Sequence, residues 1–323
     1  METMPDRRTL ESAVASAGRT PSLHNSQPWR WVLDADGLTL FSDNDRILPA
    51  TDPSGRQMLL SCGAVLHHLR TALIARHWAT EVERMPDPTN RRCLATLRFH
   101  RTDAVSDIDL RMAEAIGHRR TERLPMEAPP QWEQTESALQ TLVESTGVHL
   151  SAIAEHERPA LEELSRRIGG ERRSDAAYQT ELSWWAGHGM YPDGIPPDAL
   201  PPGQRTVATE REFPPGSATG DSAEAEDRAA ILLLSTTTDT RLDWLRSGEA
   251  LSAVLLACTA RGLATCSVTH LTESESARVF LRDTARIEGA PQAMIRVGVR
   301  SGPVPDAATP RRPISEILFR THP

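Results

Sequence analysis

The sequence predicts an α+β protein made of two related units, each a mixed or antiparallel sheet flanked by helices. The chain has 323 residues, roughly the length of two domains. Strand-like and helix-like patterns follow each other along both halves. Each half also contains one long apolar helix that comes after a strand and a polar connector. These two helices open on Ser54-Gly55 and Ser247-Gly248, which suggests duplication of one α+β unit.

The first unit, residues 1–107, combines apolar stripes of helical spacing with runs of strand-like alternation. A polar loop at Pro21–Pro28 separates its first helix from a hairpin that turns at Asp34–Gly37. In chain order, the predicted elements are a helix at Asp6–Ala17, strands at Trp29–Leu33 and Leu38–Phe41, a long buried helix at Ser54–His77, and strands at Glu81–Met85 and Leu94–His100.

The second unit, residues 108–323, has a similar order of elements and one long irregular insertion. Between residues 187 and 221, repeated prolines and glycines forbid regular structure, which is typical of a lid, a binding loop or a disordered tether. The other predicted elements are helices at Ile108–Gly117, Trp132–Val143, His156–Trp185 and Ser247–Arg261, and strands at Val148–Ile153, Ile231–Leu234 and Ala293–Val299.

Composition excludes several classes of protein. Apolar residues make up 39% and charged residues 25%, with mean hydropathy −0.41, no apolar run of membrane length and no secretion-signal pattern. We therefore expect a cytoplasmic protein that does not contact a membrane. A net charge of −8 argues against a surface that binds nucleic acid. The four cysteines form no CxxC pair, so no disulfide framework or metal site is predicted.

The chain contains no lysine, and all 36 basic residues are arginine. A guanidinium cannot form a Schiff base, so chemistry that uses pyridoxal phosphate or a lysine imine is excluded. A Walker A loop is excluded for the same reason, and no GxGxxG motif is present.

An arginine-rich turn after the helix at Ile108–Gly117 is the first candidate site. Arg119, Arg120, Thr121 and Arg123 supply guanidiniums and a hydroxyl that suit a terminal phosphate. The alternative interpretation is a solvent-exposed basic turn. The pair Arg311-Arg312 is either a second phosphate clamp or part of an exposed tail.

The polar loop before the hairpin is the second candidate site. Asn25 and Gln27 carry amides that can satisfy a heterocycle presenting an N–H group beside a carbonyl. An ordinary Asx-rich turn is the alternative interpretation. Trp29 and Trp31, which follow this loop, are predicted as core or interface residues rather than as ring-stacking partners.

Two motifs connect these candidates to a known family. Pro21–Trp31 (PSLHNSQPWRW) resembles the flavin loop of FMN-dependent nitroreductases, most closely that of the Acg-like branch, which is a nitroreductase homodimer fused into one chain. His118–Met126 (HRRTERLPM) resembles the phosphate motif that normally begins a nitroreductase subunit. Further similarity lies in Asp52–Ala64, Trp185–Leu200, Asp243–Thr265 and Thr309–Leu318, so that the resemblance covers nearly the whole chain.

The resemblance implies two nitroreductase-like units packed as an intramolecular pseudo-dimer, with one FMN per monomeric chain. Nitroreductase dimers build each flavin site from the arginines of one subunit and the polar loop of the other. Here the loop occurs only in the first half and the complete arginine motif only in the second. Arg7-Arg8-Thr9 is interpreted as a degenerate second copy of the arginine motif, because Glu11 stands where its third arginine is expected.

The resemblance also implies a role for each candidate residue. The phosphate is expected at Arg119, Thr121, Arg311 and Arg312, with Arg120 nearby. Arg123 is expected beside the pyrimidine edge of the flavin. The polar edge of the ring is expected at Ser22, His24, Asn25 and Gln27. Backbone N–H groups near flavin N5 are expected in residues 267–270, with Thr269 the best candidate.

The implied activity is NAD(P)H-dependent two-electron reduction. Nicotinamide would pass a hydride to flavin N5, and a nitroaromatic or quinone acceptor would then take its place. No side chain is predicted as a catalytic acid or base. The alternative hypothesis is an FMN storage or sequestering protein, in which a closed lid at residues 187–221 excludes nicotinamide and no turnover occurs.

Overall fold

The computed structural model describes residues 4–187, 193–201, 207–217, 226–302 and 309–321. Residues 188–192, 202–206 and 218–221 of the predicted lid lie outside the described residues. Within the described ranges, no helix is both long enough and apolar enough to cross a membrane.

The described residues form nine α-helices and ten strands, which confirms the predicted α+β class. The helices are α1 (Arg7–Ala17), α2 (Arg56–Ile74), α3 (Asp107–His118), α4 (Trp132–Glu144), α5 (Arg158–Arg173), α6 (Ala176–Trp185), α7 (Arg241–Ala260), α8 (Glu275–Thr284) and α9 (Ile314–Ile317). The strands are β1 (Trp29–Leu33), β2 (Leu38–Ser42), β3 (Trp78–Arg84), β4 (Cys93–Arg101), β5 (Met126–Glu127), β6 (His149–Ala152), β7 (Ala230–Thr236), β8 (Ala264–Val268), β9 (Ala290–Arg300) and β10 (Leu318–Arg320).

The described strands form two five-stranded sheets. The first has the order β10-β1-β2-β4-β3, in which β10 runs parallel to β1 and the other neighbours are antiparallel. The second has the order β5-β9-β7-β6, with β8 also paired to β9, and is antiparallel throughout. Because β10 lies at the C-terminus, the end of the chain completes the first sheet.

The hairpin predicted after the polar loop forms as β1 and β2, with Trp31 opposite Leu40. Trp29 and Trp31 are fully buried, which confirms that they are core residues. Both side chains point to the same face of the sheet because they are two residues apart on one strand.

Helices α2 and α7 pack against each other between the two sheets through a close glycine contact. A β-carbon built on Gly63 would overlap the carbonyl oxygen of Leu245, and one built on Gly248 would overlap that of Leu60. The contact is reciprocal, since each glycine meets the residue three positions before the other glycine. In this contact, each residue of α2 is equivalent to the residue of α7 that lies 185 positions later in the chain, as Gly63 is to Gly248.

This contact corrects the predicted correspondence between the halves. Gly55 is the N-cap of α2, with a left-handed φ of +71°, whereas Ser247-Gly248 lies in the interior of α7. Helix α7 begins earlier because Thr240 and Asp243 form a capping box at its N-terminus. The glycine that corresponds to Gly248 is Gly63. The division of the chain at residue 107 stays a prediction.

The single helix predicted over His156–Trp185 is also corrected. The chain leaves helical geometry between α5 and α6, where Asp175 accepts a hydrogen bond from Tyr178 N at 3.0 Å and caps α6. Asp is a strong N-cap residue, and this signal outweighs the apolar pattern that continues on both sides.

We predict that Gly63→Ala and Gly248→Ala each lower the free energy of unfolding by at least about 2 kcal/mol, because an added methyl group displaces helix backbone. Urea denaturation measures the change. Gly117→Ala in α3 is the matched control, since a β-carbon built there meets no atom of the described residues within 4 Å, and we expect stability to stay level or rise. Equal behaviour of the three variants would contradict the close crossing.

Asp52 caps the N-terminus of α2 from a buried position. Its two carboxylate oxygens accept hydrogen bonds from Gln57 N at 3.1 Å and Met58 N at 2.8 Å. Burial raises the pKa of Asp52 to about 6, with Glu273 adding to the effect, although the two hydrogen bonds oppose it. The folded protein therefore retains a proton at Asp52 at a pH where the unfolded chain has lost it.

Ionisation of Asp52 therefore favours the unfolded chain. The free energy of unfolding falls as the pH rises from the pKa of Asp52 in the unfolded chain to about 6. We compare the unfolding free energy of Asp52→Asn with that of the parent chain at each pH. We predict that this difference becomes about 2 kcal/mol more favourable to the variant between about pH 4.5 and about pH 7.5. Urea denaturation at both pH values measures the difference. Asp103→Asn, at an exposed turn, is the control for the loss of one carboxylate from the chain. A pH-independent difference for Asp52→Asn would refute the assignment.

Candidate functional site

Arginines from three distant segments of the chain converge at the end of α3. Arg119 is the C-cap residue of α3, Arg120 follows it, and Arg311 comes from the C-terminal segment. Arg311 Nη2 donates to the carbonyl of Arg19 at 3.1 Å, and Arg119 Nη2 approaches the same oxygen at 3.5 Å. Together, Arg19, Arg119, Arg120 and Arg311 form what we call the arginine cluster.

The arginine cluster carries positive charge that no carboxylate among the described residues neutralises. Burial and the neighbouring guanidiniums lower the pKa of Arg119 to about 10 and that of Arg311 to about 9. The Nε atoms of Arg119, Arg120 and Arg311 are buried and have no hydrogen-bond partner in this part of the chain. Such charge is costly unless a bound anion compensates it, so the cluster is suited to hold one.

A pocket with about 730 Å³ of empty space, partly open to solvent, forms the second part of the site. Its lining includes residues of α2 and α7, the end of β8 and the segment that follows β8. Five residues predicted for the site line this candidate pocket, namely Ser22, His24, Thr121, Arg123 and Thr269.

The polar loop enters this pocket in a strained conformation. His24, Asn25 and Gln27 have φ values of 50°, 56° and 49°, in the left-handed region, and Ser22 Oγ accepts a hydrogen bond from Gln27 N at 2.9 Å. His24 is buried against Phe213, with ring centroids 5.9 Å apart. Neither of its ring nitrogens has a partner among the described residues.

Asn25, Gln27 and Arg312 form a separate group that does not line the pocket. Asn25 Nδ2 donates to the carbonyls of Gly194 at 2.8 Å and Pro310 at 3.1 Å. Gln27 Oε1 accepts from Arg312 N at 2.8 Å, and Arg312 Nη1 donates to Gln27 O at 3.1 Å.

Arg312 also differs from Arg311 in its charge environment. Its guanidinium lies 3.4 Å from a carboxylate oxygen of Asp43 and 3.4 Å from one of Glu316. The structure therefore brings Arg119, Arg120 and Arg311 together. Arg312 lies apart from them and is hydrogen-bonded to Gln27 of the polar loop.

The described parts of the predicted lid contribute residues to the pocket lining. Hydrogen bonds and ion pairs connect them to the rest of the protein. Ile195, Glu210, Arg211 and Phe213 line the pocket. Arg123 Nη1 donates to the carbonyl of Ala199 at 2.9 Å, and Glu210 pairs with Arg296 at 2.7 Å. Further ion pairs join Arg46 to Asp193 and Arg211 to Glu273, and Arg211 also donates to the hydroxyl of Tyr178.

Several residues of the site carried no signal in the sequence. Gln57 lines the pocket from α2, and its Nε2 is buried without a partner among the described residues. Arg19 supplies the carbonyl on which the arginine cluster converges. In a chain whose basic residues are all arginine, no single arginine such as Arg19 or Arg211 stands out.

The position that corresponds to the pocket in the other half is filled by charged side chains. By the offset of 185 positions, Ala64 corresponds to Glu249 and Thr269 to Arg84, and both Ala64 and Thr269 line the pocket. Glu249 is 2% exposed and accepts hydrogen bonds from Arg84 at 2.6 and 2.8 Å. Arg70 approaches the same carboxylate at 3.2 Å.

Comparison with known sequences places these features in a family. Residues 141–299 match the model described as the Nitroreductase family. A Mycobacterium tuberculosis (strain H37Rv) protein named "Putative NAD(P)H nitroreductase acg" is 42% identical over 321 residues, which cover 98% of this chain and 97% of the relative. An uncharacterised protein of the same strain is 43% identical over 318 residues, which cover 96% and 92%.

Solved structures show weaker similarity. The FMN-dependent nitroreductase NfnB of Mycobacterium smegmatis, in complex with NADPH, matches with a TM-score of 0.39 and 19% identity and covers 65% of this chain and 97% of its own. A nitroreductase with bound FMN from Bacteroides fragilis matches with a TM-score of 0.38 and 16% identity and covers 61% and 92%.

We predict that inorganic phosphate stabilises the chain through the arginine cluster. Saturating phosphate should raise the unfolding temperature of the parent protein by about 3–8 °C, as expected for an anion that binds only the folded state. Arg311→Met should lose this response, whereas Arg98→Met, at an exposed position on β4, should keep it. Differential scanning calorimetry at constant ionic strength is the measurement. An equal response in both variants would show that phosphate acts elsewhere.

Proposed function

We propose, because the chain belongs to the nitroreductase family, that it binds one FMN and uses NAD(P)H to reduce a small electron-poor acceptor, such as a nitroaromatic or a quinone. The observation that carries this proposal is the arginine cluster, in which the buried Nε atoms of Arg119, Arg120 and Arg311 have no hydrogen-bond partner among the described residues. Two relatives whose names refer to an NAD(P)H nitroreductase, at 42% and 36% identity over most of the chain, support the same activity.

The described residues fit FMN in charge and in the polar atoms that they offer. A phosphate monoester carries about −1.5 to −2 charges at neutral pH, enough to compensate two of the guanidiniums of the cluster. We assign the phosphate to Arg119, Arg120 and Arg311. We assign the flavin ring to the candidate pocket, where unpartnered polar atoms of His24 and Gln57 are able to meet its heteroatoms.

Asn25, Gln27 and Arg312 take a different role in this proposal. Their side chains bind one another, the lid and the C-terminal segment, so we assign them to holding the polar loop in its left-handed conformation. They would act on the cofactor through Ser22 and His24, which line the pocket.

When bound, FMN supplies hydride transfer at N5, so nicotinamide and acceptor are able to use one face in turn. Arg123 lines the pocket with its guanidinium 5.4 Å from the centre of the Phe213 ring, and its charge would favour negative charge developing on a bound ring. Thr269 is proposed to present the backbone near N5. The lid residues would exclude water from the reacting groups.

One site per chain follows from the asymmetry between the halves. Glu249 and Arg84 occupy the position that corresponds to the open pocket, and their paired side chains take up space that a flavin ring would need. The reciprocal contact of α2 and α7 supports duplication of one unit, with the boundary near residue 107. Because the contact lies within one chain, we propose a monomer.

The lid contacts favour a second candidate function, FMN storage or sequestration. Ion pairs and hydrogen bonds hold the described lid segments at the pocket. They are made by four lid residues, namely Asp193, Gly194, Ala199 and Arg211. Oxidoreductase activity requires these contacts to open so that nicotinamide reaches the pocket. A lid that stays closed would leave a protein that holds FMN without turnover.

Anaerobic mixing of the FMN-loaded protein with NADPH or NADH tests the proposal. We predict a ratio of one FMN per chain and loss of the visible flavin absorbance on mixing, measured by stopped-flow spectroscopy. A flavin that only dithionite reduces would favour sequestration over oxidoreductase activity. A ratio near two would refute the single site, and a chain that takes up no FMN would refute both functions.

A lid variant sharpens this experiment. Arg46→Met removes the ion pair with Asp193 and a hydrogen bond to Ser26 O, neither of which contacts the pocket. If lid opening limits access, this variant should lose flavin absorbance at least about threefold faster than the parent. The control Arg98→Met should match the parent.

A further inference from the structure

A second cavity adjoins the candidate pocket and shares a wall with it. It contains about 760 Å³ of empty space, partly open to solvent, between α5, α6 and the lid residues 207–212. Glu210, Arg211 and His270 line both this second cavity and the candidate pocket. These three residues therefore form a wall between the second cavity and the space in which we place the flavin.

His270 is connected to the second cavity by a buried hydroxyl. Its Nε2 lies 3.0 Å from Ser165 Oγ, and Ser165 is itself a lining residue of the second cavity. Both residues are 5% exposed. Ser165 Oγ also lies 3.4 Å from the carbonyl oxygen of Glu210, so the hydroxyl proton has two acceptors within reach.

We propose that Ser165 and His270 form a proton relay from the second cavity into the candidate pocket, with His270 as the catalytic residue that gives the proton to the bound acceptor. The proposal rests on the flavin-dependent reduction proposed above. Reduction of a quinone to a hydroquinone consumes a hydride, supplied by the reduced flavin, and one proton, which the relay would deliver.

The other ionisable side chains of the pocket are poorly suited to this task. Glu210 is paired with Arg296, and Arg211 with Glu273. Arg123 Nη1 already donates to the carbonyl of Ala199 at 2.9 Å. Burial raises the pKa of the Cys266 thiol well above its usual value, so that the thiol retains its proton.

His24 also lines the pocket, but neither of its ring nitrogens has a partner among the described residues that would resupply a proton. His270 differs because Ser165 connects it to the second cavity. His270 lines the candidate pocket, and we assign its other ring nitrogen, Nδ1, as the atom that meets the bound acceptor.

The relay can work without charging the imidazole. Nδ1–H gives its proton to the acceptor while the Ser165 hydroxyl passes its own to Nε2, and Ser165 Oγ takes a replacement from water in the second cavity. One proton leaves the second cavity and one reaches the acceptor. Burial, together with Arg211, lowers the pKa of His270 well below its usual value, which is compatible with a ring that stays neutral.

The test compares two oxidants of the flavin in Ser165→Ala. The FMN-loaded protein is reduced with dithionite, so that the result does not depend on access of nicotinamide, and is mixed with a benzoquinone or with ferricyanide. Ferricyanide takes electrons without a proton. We expect quinone-driven reoxidation to slow by about 10²-fold and ferricyanide-driven reoxidation to be unchanged. Ser174→Ala, at the exposed end of α5, is the matched control.

Equal quinone rates in the parent and Ser165→Ala would overturn the relay, as would equal slowing with both oxidants, which would indicate altered access. Failure of NAD(P)H to reduce the flavin, with the quinone effect intact, would count against the proposed oxidoreductase function and leave the relay supported.

A measurement on the FMN-free parent protein gives an independent readout. Nitrogen-15 NMR of the histidines should show His270 neutral at neutral pH, with an Nε2 resonance that shifts in Ser165→Ala and not in Ser174→Ala. A charged His270, or an Nε2 resonance that ignores the Ser165 substitution, would refute the relay.

Discussion

Two glycines set the distance between the halves of this protein, and the candidate pocket depends on that distance. At Gly63 and Gly248 the backbones of α2 and α7 touch, because neither residue has a side chain to keep them apart. Leu60 of α2 and Leu251 of α7 both line the pocket, so its width follows from this contact. The crossing thereby connects the core packing of both sheets to the geometry of the site.

The same crossing relates two equivalent positions, but the chain uses them differently. One position is lined by Ala64 and Thr269 and lies open as the pocket. The other holds the buried ion pair of Glu249 and Arg84, which fills the space and satisfies its own charges.

Part of the site could be predicted because its residues lie close together in the sequence. Arg119, Thr121 and Arg123 form one run, and the structure places them at the arginine cluster and the pocket. The adjacent pair Arg311-Arg312 shows the limit of such reasoning. Arg311 donates to the carbonyl of Arg19, whereas Arg312 forms ion pairs with Asp43 and Glu316. A sequence motif does not show which carboxylates lie beside each arginine in the folded chain.

The sequence by itself determined the α+β class, most helices and strands, the buried tryptophans of β1 and the family, because these depend on local periodicity, turn chemistry and short motifs. Only the tertiary structure decided which residue each close-packed glycine contacts and where the chain breaks between α5 and α6 at Asp175. It also decided that Glu249 is buried against Arg84, and that His270 lies in the wall between the candidate pocket and the second cavity. These features arise where segments far apart in the chain meet. Their free energies depend on desolvation and on backbone distance, which no local pattern contains.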